Sequence, residues 1–223
     1  EVTAGYLQKL KEAGNFLMDL IGNILEVARI ESGKETLTET AWNLCNLEDT
    51  LDLLLDRDIY KKQLTLKKNM ELQHPKVYCD VQKIQEITMN LLSNAVKYTP
   101  EGGTIHFTIR ELPYEREGYA LFQTVVEDTG IGISKEYIPH LFEAFSREKS
   151  SSESGIIGTG LGLRIVKKFV DLMEGSIVVE SEIGEGTRFT VTIPHRIATA
   201  NEYISEENAK ELPEEIKLNN VRI

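Results

Sequence analysis

Apolar residues recur near the start of the chain as Leu7, Leu10, Gly14, Leu17, Ile21, Ile24 and Ala28. The steps alternate between three and four, which is the spacing of one seam on a supercoiled helix. A second row, Phe16, Leu20 and Val27, widens that seam to a stripe suited to a bundle. Gly33 supplies a stop for the helix. The same pattern suits packing within one chain, so it leaves open whether the seam meets a partner helix.

From Ala41 onward the texture changes to interleaved helices and strands. Residues 47–62 form a predicted helix with Leu51, Leu54, Leu55 and Ile59 on one face. Short strands are expected at 64–68 and 76–79. A second helix spans 81–98, with Ile84, Ile87, Leu91, Leu92 and Ala95 facing inward. After the turn Thr99-Pro100-Glu101-Gly102-Gly103 come strands 104–111 and 120–127. Residues 134–145 are expected to be helical, 146–162 a loop rich in Ser and Gly, and 163–173 a third long helix. A hairpin, 176–182 and 187–194, closes the pattern. Helices interleave with strands, several of them hairpin neighbours, and this predicts an α/β (α+β) two-layer sandwich: a mixed sheet with helices on one face, behind a coiled-coil-like N-terminal helix. The expected division is 1–34, 41–196 and a tail at 197–223. That tail follows from residues 195–223, which hold six Glu, four Lys or Arg and no clear period.

Composition narrows the function classes. The chain has 223 residues, 41% of them hydrophobic, enough for a core of ordinary size. Its 25 basic and 36 acidic residues give a net charge of −11, which argues against a nucleic-acid-binding surface. An anion must instead be held by backbone N–H groups, a metal, or a few local cations. Cys45 and Cys79 show neither C-x-x-C spacing nor a disulfide framework, and read as small hydrophobes in a reducing compartment. No run of 18 apolar residues is present, so no membrane contact is expected. The first residue is Glu1 and no signal pattern follows; the sequence reads as a piece of a longer protein.

Three glycine clusters carry the candidate chemistry: Asp128-Thr129-Gly130-Ile131-Gly132-Ile133, Gly158-Thr159-Gly160-Leu161-Gly162-Leu163, and Gly184-Glu185-Gly186-Thr187. Glycine lets a backbone approach a ligand, and a helix opening near Leu163 offers free N–H groups to phosphate. None matches a Walker or dinucleotide fingerprint. On the helix before them, Asn90, Asn94, Lys97 and Tyr98 fall at i, i+4, i+7 and i+8 and share a face. That face is either solvated surface or a polyphosphate and metal site, since amide oxygens suit Mg²⁺. Asp128 is either a turn cap or an acceptor for an exocyclic amine.

Taken in order, residues 80–194 resemble the ATP-binding catalytic domain of bacterial sensor histidine kinases, the Bergerat-type ATP fold. Asn90–Tyr98 is similar to that family's N box, Asp128–Ile133 to its first glycine box, and Phe142-Glu143-Ala144-Phe145 to its F box. Gly158–Leu163 and Gly184–Thr187 are similar to the later glycine boxes. Residues 15–34, ending Arg29-Ile30-Glu31-Ser32-Gly33-Lys34, more loosely resemble the second helix of the dimerisation and phosphotransfer hairpin.

The resemblance implies ATP and Mg²⁺ as ligands. Asn94 takes the place of the principal Mg²⁺ ligand, with Asn90 at the same metal. Lys97 and Tyr98 match contacts to phosphate, sugar or base, and Asp128 the acceptor for the adenine amine. Gly130, Gly132 and Ile133 pass close to the base. Arg147 matches an arginine that reaches the γ-phosphate. Gly158, Thr159, Gly160, Leu161, Gly162 and Leu163 hinge and line a lid over the triphosphate, and Thr187 completes the ATP set.

Water-using ATPases of the same fold (heat-shock chaperones, DNA gyrase, mismatch-repair proteins) resemble E-x-x-x-N-x-x-D. Here Asn90 stands at the Glu position and Lys97 at the Asp position. An amide does not accept a proton from water, so the resemblance implies phosphoryl transfer from ATP to histidine, with Asn90, Lys97 and Arg147 as the catalytic set. The alternatives are a nucleotide-binding module without turnover and an ATP hydrolase. The family's acceptor is a His followed by an acidic residue; His74, His106, His140 and His195 do not fit, and the acceptor helix is expected upstream of Glu1. Implied partners are that acceptor helix of the parent kinase, a second copy in a homodimer, and a response regulator or receiver domain. The implied location is cytoplasmic, with or without a membrane anchor elsewhere in the parent.

Overall fold

The computed structural model describes residues 2–33, 35–146 and 159–199, apart from some side chains in the first two helices. Helix α1 (Val2–Glu31) leads into β1 (Thr40–Asn43), α2 (Asn46–Lys61), β2 (Thr65–Glu71), β3 (Lys76–Cys79) and α3 (Val81–Tyr98). Strands β4 (Thr104–Leu112) and β5 (Tyr119–Asp128) follow, then a 3₁₀ turn, Ile138–His140, helix α4 (Gly162–Leu172), β6 (Ser176–Glu182) and β7 (Gly186–Ile197). The strands form a mixed seven-stranded sheet in the order β1-β3-β7-β5-β4-β2, with β6 also pairing β7. Among the described residues only the β2–β4 ladder is parallel.

Alternation along the strands explains the layers. Ile105, Phe107 and Ile109 of β4, Phe122 and Val126 of β5, and Phe189, Val191 and Ile193 of β7 are buried under the helices. The opposite face carries polar neighbours in register, such as His106, Glu127, Arg188 and Glu180. There Arg188 pairs with Glu127 at 2.8 Å. Helix α4 turns Ile165, Val166, Phe169 and Val170 into the core. Each such side chain stabilises the fold by roughly 1.5–3 kcal/mol, and Phe169→Ala would cost ~3–5 kcal/mol.

Helix α3 matches its expected bounds because both ends are capped. The Asp80 carboxylate accepts the Lys83 N–H at its start. At its end the Lys62 ammonium donates to the carbonyls of Val96 (2.7 Å), Lys97 (2.8 Å) and Thr99 (3.0 Å).

Three expectations change. Residues 134–145 are not a helix: successive i→i−3 bonds link Tyr137 to Ser134, His140 to Tyr137 and Leu141 to Ile138. Pro139 in their midst has no N–H to continue an α-helical ladder. The strand β1 is new; at four residues it is too short to show a period. The last strand passes Pro194 to Ile197, since Pro194 lies in the gap between the β6 and β3 partners of β7, where one edge has no ladder to lose. His195 therefore sits in the core rather than opening a tail; of the expected tail, residues 200–223 lie outside the described residues.

Helix α1 is closed by Gly33 at φ +66°, as expected. Leu7, Leu10, Leu17, Ile21 and Ile24 of the heptad row are exposed, while Val27 and Ile30 pack against the core. Among the described residues no helix is long and apolar enough to cross a membrane.

Candidate functional site

A cleft of about 220 Å³ opens where the polar face of α3, the end of β5 and the start of α4 converge. Asn90, Asn94, Lys97 and Tyr98 line it together, as their helical spacing requires. The Asn90 Nδ2 donates to the Glu86 carbonyl at 3.0 Å, which fixes the amide and sets its Oδ1 against Gly162. A Cβ at Gly162 would overlap that oxygen, so glycine lets α4 begin directly over α3. Among the described residues no side chain caps the α4 N-terminus, leaving an end suited to an anion.

Asp128 closes the opposite wall and is 6% exposed. Its Oδ1 accepts the Gly130 N–H at 2.8 Å, and the Thr187 N–H also donates to the carboxylate. Burial pushes its pKa up to about 6, against the pull of those two N–H groups. It both caps a turn and lines the cleft, so the two readings of this residue coexist in one side chain. Register places Thr187 beside it on β7 and Ser181 beyond on β6. The Ser181 and Thr187 hydroxyls share a hydrogen bond of 2.9 Å, and Ser181 Oγ accepts the Ile133 N–H at 2.9 Å. Gly132 holds φ +70°, and a side chain there would strike the Glu182 carbonyl.

Of the remaining expected residues, Gly132, Ile133, Thr159, Gly160, Gly162, Leu163 and Thr187 line the cleft. Gly130 and Leu161 support it from behind: Gly130 in the Asp128 turn, Leu161 buried at 1% exposure. Arg147 and Gly158, and with them most of the expected lid, lie outside the described residues. The Phe145 N–H donates to the Gly160 carbonyl at 3.0 Å, so the F box and the second glycine cluster meet at the cleft edge.

Several lining residues carry no motif signal. Tyr137, Leu141 and Phe189 supply an apolar floor, and Asn23 arrives from α1. Hydrophobicity marks the first three as core, and a single Asn within a helical heptad looks like a solvated position. Lys97 is the one cation and Asp128 the one anion among the described lining residues. Beneath Asn90, burial pushes the Glu86 pKa up to about 7, with Glu26 and Glu35 adding to it and Lys83 opposing. Among the described residues no group of three His, Cys, Asp or Glu could hold a metal by itself. The hard amide oxygens of Asn90 and Asn94 are the metal donors this cleft offers.

Residues 79–197 match the family model described as histidine kinase-, DNA gyrase B- and HSP90-like ATPase, and the chain belongs to that family. Within it, the relatives are sensor histidine kinases. Hybrid signal transduction histidine kinase B of Dictyostelium discoideum is 36% identical over 85% of this chain and 10% of its own length. Full-length ShkA, crystallised with AMPPNP, superposes with a TM-score of 0.73 at 26% identity over 90% of this chain and 40% of that one. The histidine kinase ThkA, in complex with the response regulator TrrA, shares the fold at 24% identity and a TM-score of 0.63, over 87% of this chain and 52% of that one. The chain spans between 10% and 25% of the length of the first curated relatives it matches.

Proposed function

We propose that the cleft binds Mg·ATP and donates its γ-phosphoryl group to a histidine of a dimerisation hairpin, for relay to an aspartate of a response regulator or receiver domain. The observation that carries this reading is one cleft holding a buried Asp128 carboxylate opposite the Asn90, Asn94, Lys97 and Tyr98 face, with an uncapped helix N-terminus between them. Asp128 accepts from the adenine amine; Gly132 and Ile133 border the base. Lys97 and the first N–H groups of α4 face the phosphates, with Arg147 added from outside the described residues. Asn94 and Asn90 hold the metal by their amide oxygens, where it offsets phosphate charge.

The acceptor imidazole is itself the nucleophile: its nitrogen forms the bond to phosphorus as the bond to the ADP oxygen breaks. It needs no base of the kind water requires, which fits an amide at Asn90. Residues 1–34 then correspond to the second hairpin helix, 41–196 to the catalytic domain and 197–223 to a tail. The exposed row Leu7, Leu10, Leu17, Ile21 and Ile24 suits the acceptor helix and a second copy in a four-helix bundle. Free Cys45 and Cys79 and the demand for ATP suit the cytoplasm.

Calorimetry with Mg·ATP and Mg·GTP, followed by γ-labelled ATP with a separately supplied acceptor hairpin, tests the reading. Adenine-selective binding with label on the hairpin supports it. Binding without label establishes the module without turnover, and label released only as inorganic phosphate establishes the hydrolase.

A further inference from the structure

Helix α1 contributes to the cleft wall. Asn23, Val27 and Ile30 fall at i, i+4 and i+7 and so share one face, distinct from the exposed heptad row. Val27 and Ile30 pack against the core, and Glu31 one residue further pairs with Arg164 of α4. At the other end of this docked face, Asn23 lines the cleft and its Nδ2 donates to Thr159 Oγ1 at 3.4 Å. The same Thr159 oxygen accepts the Leu161 N–H at 3.3 Å, in the turn that feeds α4. A continuous set of contacts thus runs from the apolar anchor of α1 to the residues that open the phosphate-facing helix.

We propose that Asn23 is a positioning residue of the nucleotide site, and that α1 docking and nucleotide occupancy are reciprocally linked through Thr159. The inference rests on the nucleotide reading of the cleft and adds a regulator to it. Because linkage of binding equilibria is symmetrical, whatever moves α1 changes nucleotide affinity, and nucleotide changes the hold on α1 by the same factor.

The test uses the full chain, Mg²⁺ and the β,γ-imido analogue of ATP. Affinity is measured by calorimetry, and amide hydrogen exchange is followed over residues 20–31. Asn23→Ala should weaken the analogue about fivefold. Ile30→Ser, which carries no charge change and lies outside the cleft, should weaken it comparably by loosening α1. The double variant should fall no further than the single ones, the signature of shared coupling. In the wild type the analogue should slow exchange across 20–31, and in Asn23→Ala that response should vanish. Unchanged melting of the sheet domain separates these effects from misfolding. If either variant binds within twofold of the wild type, or the exchange response survives Asn23→Ala, the linkage is overturned while the nucleotide site stands. A wild-type chain that does not bind the analogue overturns the site reading and the linkage with it.

Discussion

Asp128 at the end of β5 stands directly across from Thr187 at the start of β7, and the Thr187 N–H donates to its carboxylate. Sheet register, together with the Gly130 N–H of the following turn, therefore aims the carboxylate at the cleft. Asp128→Asn keeps the size but replaces one acceptor oxygen with a donor, which would face the donor amine of the proposed adenine. Mispairing of buried groups costs ~1–3 kcal/mol, so ATP affinity should fall about five- to 150-fold. With its pKa raised to about 6, the wild-type carboxyl gains a proton as pH drops below that value, and affinity should fall with it. The Asn variant should show no such limb. Equal affinity of both proteins at pH 7 would reduce Asp128 to a turn cap.

Asn94 shares the cleft face with Asn90 and Lys97. On the proposed reading, Asn94→Ala removes a hard oxygen ligand and leaves phosphate charge less compensated. Mg·ATP binding should weaken at least about tenfold, while ATP binding in chelator changes far less. An identical loss with and without Mg²⁺ would reassign Asn94 to a direct ligand contact.

Lys62 closes the C-terminus of α3 from outside the helix, and Lys97 and Tyr98 are its last residues. Lys62→Met retains the stem but removes the donor to three carbonyls. The expected loss is ~1–3 kcal/mol of stability, read as a lower denaturant midpoint at unchanged slope. Faster amide exchange should appear at residues 95–99 and not in β4 or β5.

The glycine clusters and the face of α3 were legible in sequence because their spacing is local: a helix period and short turns dictate them. The strands were legible where alternation ran long enough, as in β4 and β5. What escaped depends on partners distant in sequence. Lys62 reaches α3 across 34 to 37 residues, and Asn23 reaches Thr159 across 136. The period of α1 is visible in sequence, but which of its faces docks is decided by α4, distant along the chain. Pro139 carries a visible signal against a helix at 134–145, since it has no N–H for the ladder.

His195 is 4% exposed, and burial lowers its pKa from 6.5 to about 4, with the Tyr78 carbonyl opposing. The unfolded chain thus binds a proton between those values that the folded chain refuses, so stability contributed by the neutral ring is full above pH 6.5 and is lost as pH falls toward 4. Asp128 and Glu86 act in the opposite sense, since their raised values penalise the fold as pH rises through about 4 to 7. His195→Gln isolates the first effect. From pH 7 to pH 5 the wild type should lose about 2 kcal/mol relative to the variant, measured by urea denaturation at each pH. A constant difference between the two proteins would mean that the ring titrates alike in the folded and the unfolded chain.

The four histidines set the last prediction. His195 is buried, His106 lies within β4, and His74 and His140 pair with Glu111 at 2.6 Å and Glu143 at 2.9 Å. None lies on α1, the helix that carries the exposed apolar row. Phosphoryl transfer depends on holding the nucleophile in line with the γ-phosphate, and no histidine lines the cleft among the described residues. Incubated with γ-labelled ATP, this chain should acquire negligible acid-labile phosphate. Slow release of inorganic phosphate is expected, since an amide in place of a general base slows attack by water by about 10²–10⁴-fold without abolishing it. Stoichiometric acid-labile label that disappears with a single His→Gln substitution would place the acceptor within these residues, and would overturn its assignment to a separate hairpin helix.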